Sequence, residues 1–441
     1  MNRKTVFTLI ALVSVIGMLG AQCPGPAAPT QPAGPTQPPV AGGKLEIFSW
    51  WTGGGEADGL AQMFKIYSAK YPKVEIINAT VAGGAGSNAK AVLKTRMLGG
   101  DPPDSFQVHM GHELLDTYVT PGYMDNLDDV FKDNGFTTQF PQGVLDIVSA
   151  KDSSGTVHYY SVPANIHRAN VLWYNKKILS DNGLTPPKTW DEFMTVAEAL
   201  KAKGITPLAV GDSGIWANGM ILETILIATL GADGFNGLWT GATDWGSSQV
   251  TDALNTYKTV LGYINPDHSS LSWDQAADLL ISGKAAMTIM GDWANGEFTN
   301  KNFADYGWAA APGNDKIYQA LADSFGIPTK AKNKDAIKKF LALLGSAQGQ
   351  DLFNPYKGSI PANTTAGNPP ADAQQYTEYQ KSAMTSWKTD VIVPSLEHGA
   401  AAAPSWKGAW EQAVTLFVTN TDVAAAQTAL VQACKDAKVC K

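Results

Sequence analysis

A chain of 441 residues that is 44% hydrophobic and only 17% charged can bury enough apolar surface for more than one globular lobe, and too much to stay disordered. Its net charge of -7, with 33 scattered Lys and Arg, leaves no basic stripe to replace phosphate counterions, which excludes nucleic acid as its partner. Six histidines without a helical i, i+4 pair and only three cysteines argue against a metal centre.

Residues 1–22 have the pattern of a secretory signal: Arg3 and Lys4 precede a largely apolar run at 6–21. That run is short for a membrane span, although it leaves an uncleaved anchor open. Cys23 follows directly and resembles the lipid-modified cysteine of bacterial lipoproteins, except that Gln22 stands where a small residue is usual. Residues 23–43 read as a Pro-rich tether, with seven prolines at 24–43 and TQP occurring twice. Twenty such residues in polyproline-like form reach about 60 Å at ~3.1 Å each.

The folded part begins at Lys44. Leu45, Ile47 and Phe48 form a β-favouring run, and Gly53, Gly54 and Gly55 turn the backbone, leaving Trp50 and Trp51 at the C-terminal end of a strand. Ligands of open α/β sheets sit at that end. Leu60, Met63, Phe64, Tyr67 and Tyr71 recur at helical spacing and Pro72 closes the run, which puts Glu56 at a helix N-terminus beside the same crevice. A second strand at 74–78 implies a parallel pair, and a second helix at 88–98 is expected to carry Val92, Leu93 and Met97 on one face. A strand at 104–109 then delivers Gln107 and His109 to its end, continuing an alternating α/β pattern. The glycines at 83, 84 and 86 lack the third glycine of a dinucleotide loop and any following Gly-Lys-Ser/Thr, so they read as a plain loop. Farther on, Thr189 and Glu192 form a capping box before Phe193, Val196, Ala197 and Leu200. Cys434 and Cys440 could pair in an exported chain, but an unbroken helix would hold them about 9 Å apart along its axis.

Ordered along the chain are VPAN at 162–165, LWYNKK at 172–177, GLTPPKTWDEF at 183–193, GKAAMTIMGDW at 283–293, FGIP at 325–328 with a helix at 334–344, and SAQGQ at 346–350. Together they resemble the extracellular solute-binding proteins of bacterial sugar ABC importers, the maltose-binding-like family, over 44–441. Within it, FSWW at 48–51, QVH at 107–109, NIHR at 165–168, LSW at 271–273, DSFG at 323–326, NPYKG at 354–358 and EHGA at 397–400 look closest to the glucose/galactose-binding proteins of Thermus and Deinococcus type.

The resemblance implies an α/β, two-lobed periplasmic-binding-protein fold (type II, maltose-binding-like) with a hinge and an interlobe cleft. Residues 44–160 and 312–358 would form the N-terminal lobe, and 161–311 and 359–441 the C-terminal lobe. It further implies a monomeric, extracytoplasmic receptor, possessing no cofactor or metal, that captures glucose or galactose and passes it to membrane permease subunits. Trp50, Trp51, Glu56, Gln107, His109, Asp323 and Lys357 would line the first lobe or the lobe junction, and Asn165, Trp273, Trp293 and His398 the opposite side or the hinge. Asp292 stays outside this set. A sugar asks for such a mixture, with polar groups at its hydroxyl rim and aromatic rings against its C–H faces. Two rival readings are an oligosaccharide-binding relative with a longer cleft and a glycoside hydrolase using two of Glu56, Asp292 and Asp323; the family resembled binds without reacting. Glucose and galactose differ in one hydroxyl's orientation, which the sequence does not distinguish.

Overall fold

The computed structural model describes residues 42–440. The expected signal segment, the lipidation candidate Cys23 and the tether as far as residue 41 lie outside the described residues, and Gly43 already belongs to the first strand.

Strand Gly43–Phe48 runs parallel to Val74–Asn78 on one side and to Ser105–His109 on the other. Apolar side chains from both faces of this strand are buried, as expected for a parallel sheet covered by helices. Two strands from distant parts of the chain complete the sheet, of which Asp323–Gly326 runs antiparallel to both its neighbours, giving the order Val74–Asn78, Gly43–Phe48, Ser105–His109, Asp323–Gly326, Ser161–Pro163. The register sets Asp323 opposite His109 and Phe325 opposite Gln107. Helix Gly54–Lys70 covers the sheet with Leu60, Met63 and Tyr67 and stops at Tyr71, just before Pro72. Helix Ser87–Gly99 buries Ala89, Leu93 and Met97, an i, i+4, i+8 stripe. Val92, expected on that face, is exposed, because one residue of helix turns a side chain by about 100°.

A second sheet has the order Tyr306–Ala310, Val171–Asn175, Ala285–Ile289, Thr206–Leu208. Between the two sheets lies a three-stranded ribbon, Val391–Pro394, Ile317–Leu321 and His167–Arg168. The chain thus passes from one lobe to the other through 163–171 and back through 310–323. After helix Ala347–Lys357 it crosses a third time, and Tyr379 packs on Trp173 of the second sheet with ring centroids 4.6 Å apart. The change of lobe expected at 160/161 falls short, since Ser161–Pro163 still pairs in the first sheet. Ile317–Leu321, expected in the first lobe, belongs to the ribbon instead.

In the second lobe, Thr189 caps helix Trp190–Lys201 through the backbone N–H of Glu192. The Glu192 carboxylate accepts the N–H of Lys188, one residue before the cap. The 25-residue segment Trp216–Thr240, helical on either side of a kink at Gly231 (φ of 70°), is apolar enough for a membrane core, yet much of it is buried within the lobe. It ends in a cluster of Trp239, Trp245, Trp406 and Trp410, each worth roughly 5 kcal/mol of transfer free energy before entropy is counted.

At the C-terminus, helix Val423–Asp436 ends before the second cysteine. Lys438 takes a left-handed conformation with φ of 56°, and Cys440 folds back so that its N–H meets Cys434 O. The two cysteines form a disulfide with Cα atoms 5.3 Å apart, which an unbroken helix would have forbidden.

Candidate functional site

A cavity of about 360 Å³ opens where the C-terminal end of the first sheet faces the second lobe. The first lobe contributes Trp50, Thr52, Gly53, Gly54, Glu56, the turn at 82–85, His109, Asp323 and Lys357. The second lobe and the ribbon contribute His167, Ser213, Trp216, Ser272, Trp273, Asp274, Trp293, Glu297, Leu321 and His398.

Asp323 owes its place to sheet register. Strand pairing with His109 puts its carboxylate at the sheet end, where Oδ1 accepts from Gln107 Nε2 at 2.8 Å and Oδ2 from Asn165 Nδ2 at 2.9 Å. His167 Nε2 lies 3.2 Å from Oδ2. Burial alone would raise the Asp323 pKa. The His167 hydrogen bond and the positive charges of Lys357 and His167 overcome it and hold the carboxyl well below its ordinary range. Asp323 is therefore a fixed anion on the cleft floor.

Three histidines surround it in different states. His167 sits between Asp323 and Asp292, its Nδ1 bonded to Asp292 Oδ1. Burial and Lys357 disfavour its charge, but the two aspartates prevail and its pKa is raised. His109 holds Glu113 through Nδ1 at 3.0 Å, and Lys90 Nζ donates to the same carboxylate at 2.7 Å. Burial lowers the His109 pKa despite Glu113. Glu113 itself is lowered to about 2, burial being outweighed by Lys90 and His109. His398 is lowered farther, first by burial and then by the proximity of His109 and Lys90, so its ring is neutral.

Indole rings supply the apolar walls. Trp50 meets the His109 ring edge-on at 5.0 Å, while Trp293 lies 5.3 Å from His398 and 6.1 Å from Trp216. Trp273 opens helix Trp273–Ile281, whose cap is the reciprocal Ser272 and Gln275 box, and so is set at the rim. Lys357 Nζ donates to Glu56 Oε1 at 2.6 Å with its side chain almost fully buried. It also stands 5.8 Å above the Trp293 ring, within cation–π reach.

Two close approaches join the lobes at the rim. Gly54, with φ of 54°, has the Glu297 carboxylate where a Cβ would be, and a Cβ on Gly84 would lie 2.8 Å from Trp216 Nε1. Both positions require a residue without a side chain.

Of the eleven residues expected in the site, eight line this cavity: Trp50, Glu56, His109, Trp273, Trp293, Asp323, Lys357 and His398. Three stand behind its wall. Trp51 is buried against Phe325 and Phe353, because the residue after Trp50 points to the opposite face. Gln107 bridges Asp323 to the Trp50 backbone N–H, and Asn165 bonds both the carboxylate and the backbone N–H of Asp323. They hold Asp323 in position.

Sequence reasoning missed His167, Trp216, Asp274, Glu297 and the glycine turn at 83–84. His167 stands inside the NIHR stretch and Asp274 directly follows LSW, so both lay within reach. The other three carry no local signal, since they are cleft residues only by contact across the lobes. Among the described residues no group of three or more His, Cys, Asp and Glu is arranged to hold a metal ion. Glu56, Asp274, Glu297 and Asp323 outnumber the cations Lys357 and His167 in the lining, a balance that repels anionic ligands.

Comparison with known proteins adds to this geometry. Residues 48–351 match the family described as bacterial extracellular solute-binding protein. An ABC transporter extracellular-binding protein of Pyrococcus horikoshii is 35% identical over 99% of this chain and 97% of its own length. A probable sugar-binding periplasmic protein of Rhizobium meliloti is 29% identical over 89% of this chain and 94% of its own. Among solved structures, the bacterial solute receptor AcbH, described as having an exclusive preference for β-D-galactopyranose, superposes with a TM-score of 0.77 at 20% identity, covering 90% of this chain and 99% of its own. That likeness concerns the fold, which is the two-lobed maltose-binding-like one.

Proposed function

The chain belongs to the bacterial extracellular solute-binding protein family, and from that premise and the chemistry of the cleft we propose that it captures a single aldohexose, glucose or galactose, between its lobes and delivers it to the permease of an ABC sugar importer. The observation that carries this reading is the cleft lining itself. Trp50, Trp216, Trp273 and Trp293 offer apolar faces around a floor of fixed polar groups, Asp323, His167 and Lys357, in about 360 Å³. That volume lies at the small end for ligand pockets, which favours one pyranose ring over a long saccharide. Micromolar binding requires roughly 8 kcal/mol, under about 1 kcal/mol for each of a hexose's dozen heavy atoms, which a few charged hydrogen bonds and ring contacts supply. The glucose/galactose-type motifs at 48–51, 107–109 and 323–326 support the same class of ligand.

Binding without reaction fits the carboxylates. A glycosidase requires one carboxyl that is protonated at working pH and one free to act as base or nucleophile. Asp323 is a permanent anion with its oxygens occupied, and Glu56 is bonded to Lys357. A ligand held by groups from both lobes favours the closed arrangement, whereas one touching a single lobe would not. Capture would take place outside the cytoplasm, with Cys23 as the lipid anchor and the chain acting as a monomer.

Calorimetric titration against glucose, galactose, maltose and trehalose tests the proposal. Tighter binding of a monosaccharide is expected. Tighter binding of a disaccharide would favour the oligosaccharide reading, and release of reducing sugar from a chromogenic glycoside would favour the hydrolase.

A further inference from the structure

Glu223 is a fully buried carboxyl in the middle of helix Trp216–Thr240, outside the cleft lining. Its Oε1 accepts the backbone N–H of Leu396 at 2.6 Å, and its Oε2 lies 3.1 Å from the Ser395 hydroxyl. The same hydroxyl oxygen lies 2.9 Å from Nδ1 of His398. His398 lines the cleft, and with Nδ1 turned to Ser395 the nitrogen left for a ligand is Nε2. Three groups from two distant segments therefore make one hydrogen-bonded chain from a buried acid to the cleft.

The direction of that chain depends on a single proton. A neutral imidazole carries one N–H and one lone pair, and a serine hydroxyl donates only once. With Glu223 ionised, the Ser395 O–H donates to Oε2 and Ser395 Oγ accepts the Nδ1–H of His398. Nε2 then presents a lone pair to the cleft. When Glu223 takes one proton from solvent, Oε1 is still occupied by the Leu396 N–H, so the proton sits on Oε2 and donates to Ser395 Oγ. The Ser395 O–H turns to Nδ1, and the imidazole proton moves to Nε2 by exchange. In both arrangements Glu223 Oε1 and Oε2, Ser395 Oγ and His398 Nδ1 keep their partners, as buried polar groups require.

We propose that Glu223, acting through Ser395, determines which nitrogen of His398 carries the proton, and thereby whether the cleft nitrogen accepts a ligand hydroxyl's hydrogen bond or donates one. Glu223 is a positioning residue in this scheme. Burial pushes it up to about 7, which puts the reversal near neutral pH. His398 stays neutral throughout, held down by burial and then by the proximity of His109, Lys90, Lys407 and His167. The charged groups around Glu223 are Glu397, itself pushed up to about 8 by burial, and behind it Lys407 and Glu411 on helix Pro404–Asn420. From the ribbon strand Ile317–Leu321 the nearby side chain is the uncharged Gln319. Ionisation of Glu397 moves the midpoint of the switch but does not change its direction.

The tautomer half of this inference is independent of the ligand, whereas the affinity half rests on the sugar reading above. Long-range ¹H–¹⁵N spectra of histidine-labelled full-length protein distinguish the two tautomers of His398 directly. Between about pH 6 and about pH 8.5, on either side of the Glu223 midpoint, the wild type is expected to pass from Nε2–H to Nδ1–H. Glu223→Gln offers an amide donor to Ser395 at every pH and should hold His398 as Nε2–H throughout. Ser395→Ala cuts the chain in a small side chain and should abolish the pH response, which keeps the test decisive if the glutamine variant fails to fold. Sugar affinity should change about threefold to tenfold across the same range in the wild type, the worth of one hydrogen bond, and stay level in Ser395→Ala. A wild-type tautomer that does not change, or that changes equally in Ser395→Ala, overturns the inference. Failure of every sugar to bind would overturn the proposed function while the spectra still decide the tautomer.

Discussion

Asp323→Asn is the substitution that bears most sharply on the cleft floor. The side chain is 3% exposed and receives hydrogen bonds from Gln107 at 2.8 Å and Asn165 at 2.9 Å, with His167 at 3.2 Å. Asparagine keeps the shape but offers one acceptor oxygen to donors on both sides. Turning Gln107 to compensate would break its bond to the Trp50 backbone N–H. One buried donor left unpaired costs about 1–3 kcal/mol. Removing one partner from the buried His167 pair costs about 3–5 kcal/mol. These losses share the same contacts, so about 3–5 kcal/mol of folding stability is expected to disappear, with at least a tenfold loss of sugar affinity, about 1.4 kcal/mol or more. Asp323→Ala adds a void and is the less clean probe. Urea unfolding and calorimetric titration at neutral pH measure both effects. The pH dependence carries a sign: the folded pKa lies below the ordinary value of 3.8, so the carboxylate's contribution is present above that value and is lost as the pH falls below it. The gap between wild type and variant should therefore narrow on acidification. A stability change under about 1 kcal/mol together with unchanged affinity would refute the role given to Asp323.

Other substitutions test separate parts of the molecule. Gly54→Ala puts a side chain at φ of 54° against the Glu297 carboxylate and should weaken sugar binding at least about tenfold by obstructing lobe contact, read by calorimetry. Stability should fall as pH rises, because Glu223 and Glu397 bind their protons more tightly folded, about 7 and about 8 against an ordinary 4.5. The Glu223 shift alone corresponds to roughly 3 kcal/mol between pH 4.5 and about 7, so the melting temperature should drop across that window and the slope should shrink in Glu223→Gln. Reducing the Cys434–Cys440 disulfide should cost about 2 kcal/mol from the short loop it closes and leave sugar affinity unchanged, as thermal melts and titrations with and without reductant will report.

Much of the first lobe was legible because its signals are local. A β-favouring run, a glycine turn and a helical stripe closed by Pro72 gave the opening unit, and Thr189 with Glu192 gave a helix start. Val92 shows the limit, since apolar residues beside Leu93 compete for the buried stripe and only packing decides between Ala89 and Val92. The cysteine pair depended on where a helix stops, which Lys438 settles by a left-handed turn unusual for lysine. In the site, residues at strand ends were identifiable, but a strand end alone does not tell a ligand contact from its support. Gln107 and Asn165 brace Asp323 for that reason. Trp216, Glu297 and Gly84 acquire their positions only when the two lobes meet.

The most direct test of the account is a tryptophan fluorescence titration of the full chain with glucose and galactose, since Trp50, Trp216, Trp273 and Trp293 all border the cleft. The account predicts a saturable change with at least one of these hexoses at micromolar concentration, diminished in Asp323→Asn. No response to either hexose, or saturation by oligosaccharides alone, would contradict it.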